Sequence, residues 1–155
     1  MKFNERCLVR LLGDMRSYNY VIDVTPDFED TQYRIRAIDF DQQSYEGKKS
    51  LYVPQFYKEN LPFVELCMKQ LNENTVRQYQ SEERSLMARR INTSRYRVNQ
   101  LLKVMMKEKL SSEEKIDSLK TELSKHYNEE SFLKCSSMGE LMRESLNLLV
   151  SGKLN

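Results

Sequence analysis

Hydrophobic and polar positions follow two different periods along this chain, with the change near residue 60. Residues 18–24, Tyr-Asn-Tyr-Val-Ile-Asp-Val, are β-branched and aromatic without helical spacing. Residues 31–40 alternate, with Tyr33, Ile35 and Ala37 on one face and Arg34, Arg36 and Ile38 on the other. That period of two is the mark of a half-buried strand. Between the two runs lies Thr25-Pro26-Asp27-Phe28-Glu29-Asp30, rich in turn formers, so the pattern predicts a β-hairpin. Residues 41–60, with Gly47 and Pro54, follow neither period.

From there helical spacing takes over. Asn60 is a candidate N-cap with Pro62 in the first turn, and Phe63, Leu66, Cys67 and Leu71 form an apolar stripe behind it. A second helix is expected from Asn74 or Thr75 to about Arg90. A third follows Thr93, with Val98, Leu101, Leu102 and Met105 at three-to-four spacing. Ser111-Ser112-Glu113-Glu114 contains a Ser-x-x-Glu capping box that opens a fourth helix, running to about His126. Ser137-Met138-Gly139-Glu140 repeats the box and opens a last helix, which Ser151-Gly152 can end. The expected fold is mainly helical α+β: an N-terminal hairpin followed by about five helices. Residues 1–155 are read as a single domain, with the hairpin region at 8–41 and the helical part at 54–152.

Composition narrows the function classes. Apolar residues make up 39% and charged residues 31%, with only four Gly and three Pro, which is a globular rather than a disordered balance. The net charge of +2 calls for no polyanionic partner. Cys7, Cys67 and Cys135 are odd in number and far apart, unlike a disulfide framework or a zinc site, and read as buried cytosolic thiols. No apolar run reaches the ~18 residues of a membrane span. Met1-Lys2-Phe3-Asn4-Glu5-Arg6 lacks the apolar stretch of a signal peptide. A cytoplasmic protein without a membrane partner is therefore expected.

The residues that suggest chemistry flank the hairpin. Asp14 and Asn19 stand five apart before the first strand, and Asp39 ends the second, with Phe40 and Asp41 after it. A hairpin sets the start of its first strand beside the end of its second, so Asp14, Asn19 and Asp39 should meet at one open end. Phosphoryl transfer uses such a set: one carboxylate positions the attacking hydroxyl, while a second carboxylate and an amide oxygen hold magnesium.

Gly13-Asp14-Met15-Arg16-Ser17-Tyr18-Asn19 resembles the catalytic loop of protein-kinase-like enzymes, and Ile38-Asp39-Phe40-Asp41 resembles their metal-binding Asp-Phe-Gly segment. The Gly-Asp pair, the apolar residue before Asp39 and the acidic Asp41 bring it nearer to aminoglycoside and choline phosphotransferases. The resemblance covers residues 8–41. It implies a kinase-like C-terminal lobe with Asp14 as catalytic base, Asn19, Asp39 and Asp41 at the metal, and Mg2+ and ATP as cofactors. Only 13 residues precede Asp14, where the family carries its ATP-binding lobe. That lobe would come from upstream sequence or another chain, and activity by these residues alone is not expected. Apolar surface meant for the lobe would be exposed, and a homodimer would also cover it.

Other readings stand beside this one. Asp14, Asn19, Asp39 and Asp41 are also the residue types that make turns and caps, as a non-catalytic helical interaction module would use them. Residues 84–109 are basic, with Arg89, Arg90 and Arg97 the candidate contacts to a nucleic-acid backbone. Their spacing is equally that of the wet face of a core helix. The acidic run Glu113, Glu114, Asp117, Glu122, Glu129 and Glu130 could neutralise them from within, so nucleic acid is not the expected partner. His126 is read as a cation at a helix end, and the methionines as core filler.

Overall fold

The computed structural model of the chain describes residues 1–154. Among them the fold is mainly helical α+β. In chain order it comprises α1 (Lys2–Val9), β1 (Tyr20–Pro26), β2 (Thr31–Ala37), α2 (Leu61–Gln70), α3 (Glu73–Thr93), α4 (Arg95–Lys107), α5 (Glu113–Tyr127) and α6 (Met138–Val150). Short 3-10 turns occupy the stretch expected to be irregular, at Lys49–Tyr52, Pro54–Phe56 and Lys58–Asn60. None of the described helices is long and apolar enough to cross a membrane.

The hairpin forms where alternation places it. Antiparallel pairing runs from Tyr20 opposite Ala37 to Pro26 opposite Thr31. Thr25 and Pro26 thus belong to β1 rather than to the turn, while Ile38, Asp39 and Phe40 lie beyond β2. Tyr20, Ile35 and Ala37 pack onto a small core of Phe3, Cys7, Leu12 and Met15. Farther out on the same face, Ile22, Val24 and Tyr33 overhang the body and stay exposed.

One element was not anticipated. The hairpin is preceded by α1, whose Phe3 and Cys7 face the hairpin core while Leu8 and Val9 face the larger helical core. Its remaining inward position carries charge, which breaks the apolar pattern. Glu5 is 3% exposed and accepts from Arg84 Nε (2.6 Å) and Gln80 Nε2 (3.2 Å). Arg6 donates in the opposite sense to Glu83, itself 2% exposed, at 2.8 Å. Two crossed ion pairs therefore clip α1 to α3, and the Arg6 guanidinium also donates to the Ile35 carbonyl of β2 (2.8 Å).

The larger core gathers α1, α3, α4, α5 and α6 around Leu119, Leu123, Phe132, Met138 and Leu141. α4 supplies Leu102 and Met105, whereas Leu101 stays exposed. Gly139 sets the approach of α6 to α4: a Cβ there would lie 2.5 Å from the Met105 carbonyl carbon, so the contact tolerates no side chain.

Several helix details differ from expectation. α3 begins at Glu73 because the side chain of Asn72 accepts the Thr75 N–H (3.0 Å). α5 is capped by Ser112, not Ser111, which is buried and donates to the Tyr45 carbonyl (2.6 Å). Ser137 does cap α6. α2 has the expected Pro-containing start, yet none of its residues is buried and its stripe does not reach the core. His126 does sit in the last turn of α5, but its surroundings work against the expected charge. Burial and the neighbouring Lys49 ammonium lower its pKa, and Lys49 Nζ lies 3.1 Å from its Nδ1. Cys7 and Cys135 are buried free thiols, and Cys67 is a half-buried one.

Removing one member of a buried, hydrogen-bonded charge pair strands the other. Glu83→Ala is therefore expected to lower unfolding free energy by about 3–5 kcal/mol in urea titration; a loss comparable to that of an exposed pair, below about 1 kcal/mol, would show that the clip contributes little.

Candidate functional site

Two antiparallel closures bracket the residues singled out in the sequence. Leu12 bridges Gln43, and the Ser44 N–H donates to the Leu11 carbonyl (2.8 Å). Past the loops, the Ile38 N–H donates to the Asn19 carbonyl (3.0 Å), one step beyond the first pair of the hairpin. Residues 13–18 and 39–42 thus form two loops held at both ends. They touch: a Cβ on Gly13 would meet the Gln42 carbonyl oxygen at 2.7 Å, so only glycine lets the loops approach this closely.

The first loop carries Asp14 in the left-handed region at φ +53°. Left-handed backbone also occurs at the closure, at Leu11 (φ +47°) and Ser44 (φ +56°). Such geometry costs a residue with a Cβ about 1–3 kcal/mol and persists only where surrounding structure fixes it. Here the fixing contacts are visible. The Asp14 N–H donates to the Tyr57 hydroxyl (2.9 Å), which donates onward to the Leu51 carbonyl (2.8 Å). Buried Asn60 is the second anchor. It is not the side-chain cap expected for α2. Its amide donates to the carbonyls of Met15 (2.8 Å) and Pro54 (2.7 Å), and its oxygen accepts from the Tyr20 hydroxyl (2.7 Å).

Asp14 and Asn19 are in direct contact. The Asn19 amide donates to the Asp14 carbonyl (2.7 Å) and to its carboxylate (3.2 Å). Asn19 is buried, and among the described residues nothing donates to its side-chain oxygen. Arg16 Nε donates to the other Asp14 carboxylate oxygen (2.7 Å), its Nη1 donates to Glu59 (2.8 Å), and its guanidinium lies 5.1 Å from the Tyr57 ring centre. The Asp14 and Glu59 carboxylates, in that order, raise the Arg16 pKa. Its own backbone N–H and then Arg16 hold Glu59 below its usual range.

Asp39 and Asp41 lie on the second loop. Asp39 is half-buried and accepts the Asp41 N–H (3.0 Å), an Asx-type turn, while Asp41 is exposed. Asp14, Asn19 and Asp39 therefore share the open end of the hairpin, with Asp14 and Asn19 in contact and Asp39 on the facing loop. Among the described residues there is no cluster of three or more His, Cys, Asp or Glu side chains arranged to hold a metal. An oxygen site here would have to include the Asn19 amide. Asp39 keeps one carboxylate oxygen outside its turn, and the Asn19 oxygen is unengaged, so these two fit a hard cation chemically.

The other candidate residues lie apart. Arg89, Arg90 and Arg97 are exposed on α3 and α4. The acidic side chains of α5 do not neutralise them: Asp117 pairs with Lys120, and Glu122 accepts the Lys49 N–H. A cavity of about 690 Å³ opens between α1, the hairpin, α2 and α3, lined by Phe3, Ile35, Phe63, Cys67 and Leu71 among others. Compared with family models, curated proteins and solved structures, the chain matches none.

Arg16, Tyr57, Glu59 and Asn60 were not foreseen as parts of this site. Arg16 stands two residues after Asp14, a spacing that could have drawn notice. Tyr57 and Asn60 reach it from more than forty residues away, and no local pattern marks them.

Asn60→Ala would leave the Met15 carbonyl and the Tyr20 hydroxyl without partners, while the Pro54 carbonyl would keep only the Tyr57 N–H. A loss of about 2–4 kcal/mol in unfolding free energy is expected, with faster hydrogen exchange at the Asp14 and Asn19 amides; unchanged exchange there would separate Asn60 from the site.

Proposed function

We propose that residues 8–41 form the hydroxyl-positioning and metal-holding part of a kinase-like phosphotransferase, completed by an ATP-binding lobe from upstream sequence or another chain. The observation that supports this reading most is the double closure. It keeps the Asp14 loop and the loop of Asp39 and Asp41 facing each other around left-handed backbone that ordinary loop connection does not require.

On this reading Asp14 is the general base that orients the acceptor hydroxyl and takes its proton. Asn19 fixes that carboxylate through its amide nitrogen and, with Asp39, would hold Mg2+ through oxygen; exposed Asp41 would complete the shell from the same loop. Magnesium and ATP would supply the phosphoryl group and shield its charge. Arg16 would neutralise charge on the oxygens in transfer. Its salt bridge to Asp14 would have to loosen as the hydroxyl enters. Ile22, Val24, Tyr33, Ile38 and Phe40, all exposed, would be covered by the second lobe or by a second copy of the chain.

A non-catalytic interaction module is the second reading. It is favoured by α2, which buries none of its residues and displays Leu61, Phe63, Leu66 and Met68 to solvent.

Calorimetric titration with magnesium alone separates the two, since the metal-holding half of the site is the half assigned to this chain. The proposal expects binding to the wild type that is abolished in Asp39→Ala with the fold intact. Equal heats in both proteins, or none in the wild type, would favour the interaction module.

A further inference from the structure

A second cavity, of about 330 Å³, opens between α1, α3, α4 and α6 and reaches Gln43. Its volume lies at the lower end of small-molecule sites, roughly 300–1,000 Å³. Much of the wall is apolar and adaptable, with Met87, Met105 and Met142 beside Leu102. The charged groups of the lining are all of one sign: Arg6, Arg10 and Arg90, with no acidic side chain among them.

Arg6 is already engaged by Glu83 and the Ile35 carbonyl. Arg10 is different. It is half-buried, its carbonyl accepts from Gln43 (3.1 Å), and among the described residues its guanidinium has neither an ion pair nor a hydrogen bond. Burial lowers its pKa, and the nearby Arg6 charge pushes the same way. A guanidinium does not shed its proton in a protein, so a partly desolvated one without a counter-charge favours an anion beside it. Arg90 is exposed on the same lining and free of ion pairs among the described residues.

We propose that this cleft binds a small amphiphile, a molecule with one anionic head group held by Arg10 and Arg90 and an apolar body lying among the methionines. The site is independent of the phosphotransferase reading, since none of Asp14, Asn19 and Asp39 lines it.

The test is titration of the full chain, labelled at its methionine methyl groups, with decanoate below its aggregation threshold and, separately, with decanol and acetate. Decanoate is expected to shift Met87, Met105 and Met142 together and to leave exposed Met68 unmoved. Decanol should bind at least tenfold more weakly, and acetate alone should not shift these methyls. Arg10→Gln should weaken decanoate at least tenfold, and Arg90→Gln by a smaller factor. Equal binding of decanol and decanoate by the wild type would overturn the proposal. Shifts centred on Met68, or full affinity in folded Arg10→Gln, would do the same. The comparison of ligands on the wild type decides the matter even if Arg10→Gln does not fold.

Discussion

The crossed charge pairs between α1 and α3 are the constraint on which the other contacts depend. Glu5 and Glu83 are carboxylates taken almost wholly out of water, each at a desolvation cost of several kcal/mol. What offsets that cost is geometry: Glu5 meets Arg84 and Gln80, and Glu83 meets Arg6. The pairs run in opposite senses along the two helices. Sliding or rotating α1 by one residue would strand both carboxylates at once. Apolar packing alone would permit several positions of an eight-residue helix; the charges permit one.

That position is passed on to the loops. Arg6 also grips the Ile35 carbonyl, so the hairpin is hung from the same side chain that binds α3. The chain leaves α1 through Arg10 and the left-handed Leu11, enters the bridge at Leu12, and presents Gly13 against Gln42. Tyr57 and Asn60, from the turns that precede α2, then fix the loop. The backbone strain at Leu11, Asp14 and Ser44 is sustained by these contacts. An arrangement that concentrates fixed, strained backbone around an Asp–Asn pair is the reason for reading the region as a site rather than as an ordinary connection.

Much of this could be read from the chain, and the omissions have physical causes. The hairpin was legible because alternation at Tyr33, Ile35 and Ala37 reports a one-sided sheet directly. The capping serine of α6 was legible because its partner is three residues away. α1 was missed because Glu5 and Arg6 sit where apolar residues would mark an inward face, and their partners lie more than seventy residues on. Asn60 was misread as a cap because the residue type suits both roles, and only the distant Met15 and Tyr20 decide between them. The apolar stripe of α2 was real as a pattern but faces a groove instead of the core. Asp14, Asn19 and Asp39 are expected to converge at the open end of the hairpin; Asp14 and Asn19 are in contact and Asp39 lies on the facing loop, while Arg16, which occupies the same Asp14 carboxylate, is unmarked because a residue two positions on in a loop has no fixed direction.

The proposed function requires the doubly closed loops to present a single oxygen-lined cation site. Manganese, substituted for magnesium and titrated into the chain while amide resonances are followed, tests it most directly, because paramagnetic broadening reports where the ion sits. The amides of Asn19, Asp39, Phe40 and Asp41 are expected to broaden first and together. Broadening that begins instead at the acidic start of α5, around Glu113 and Glu114, would contradict it, as would the absence of any localised effect.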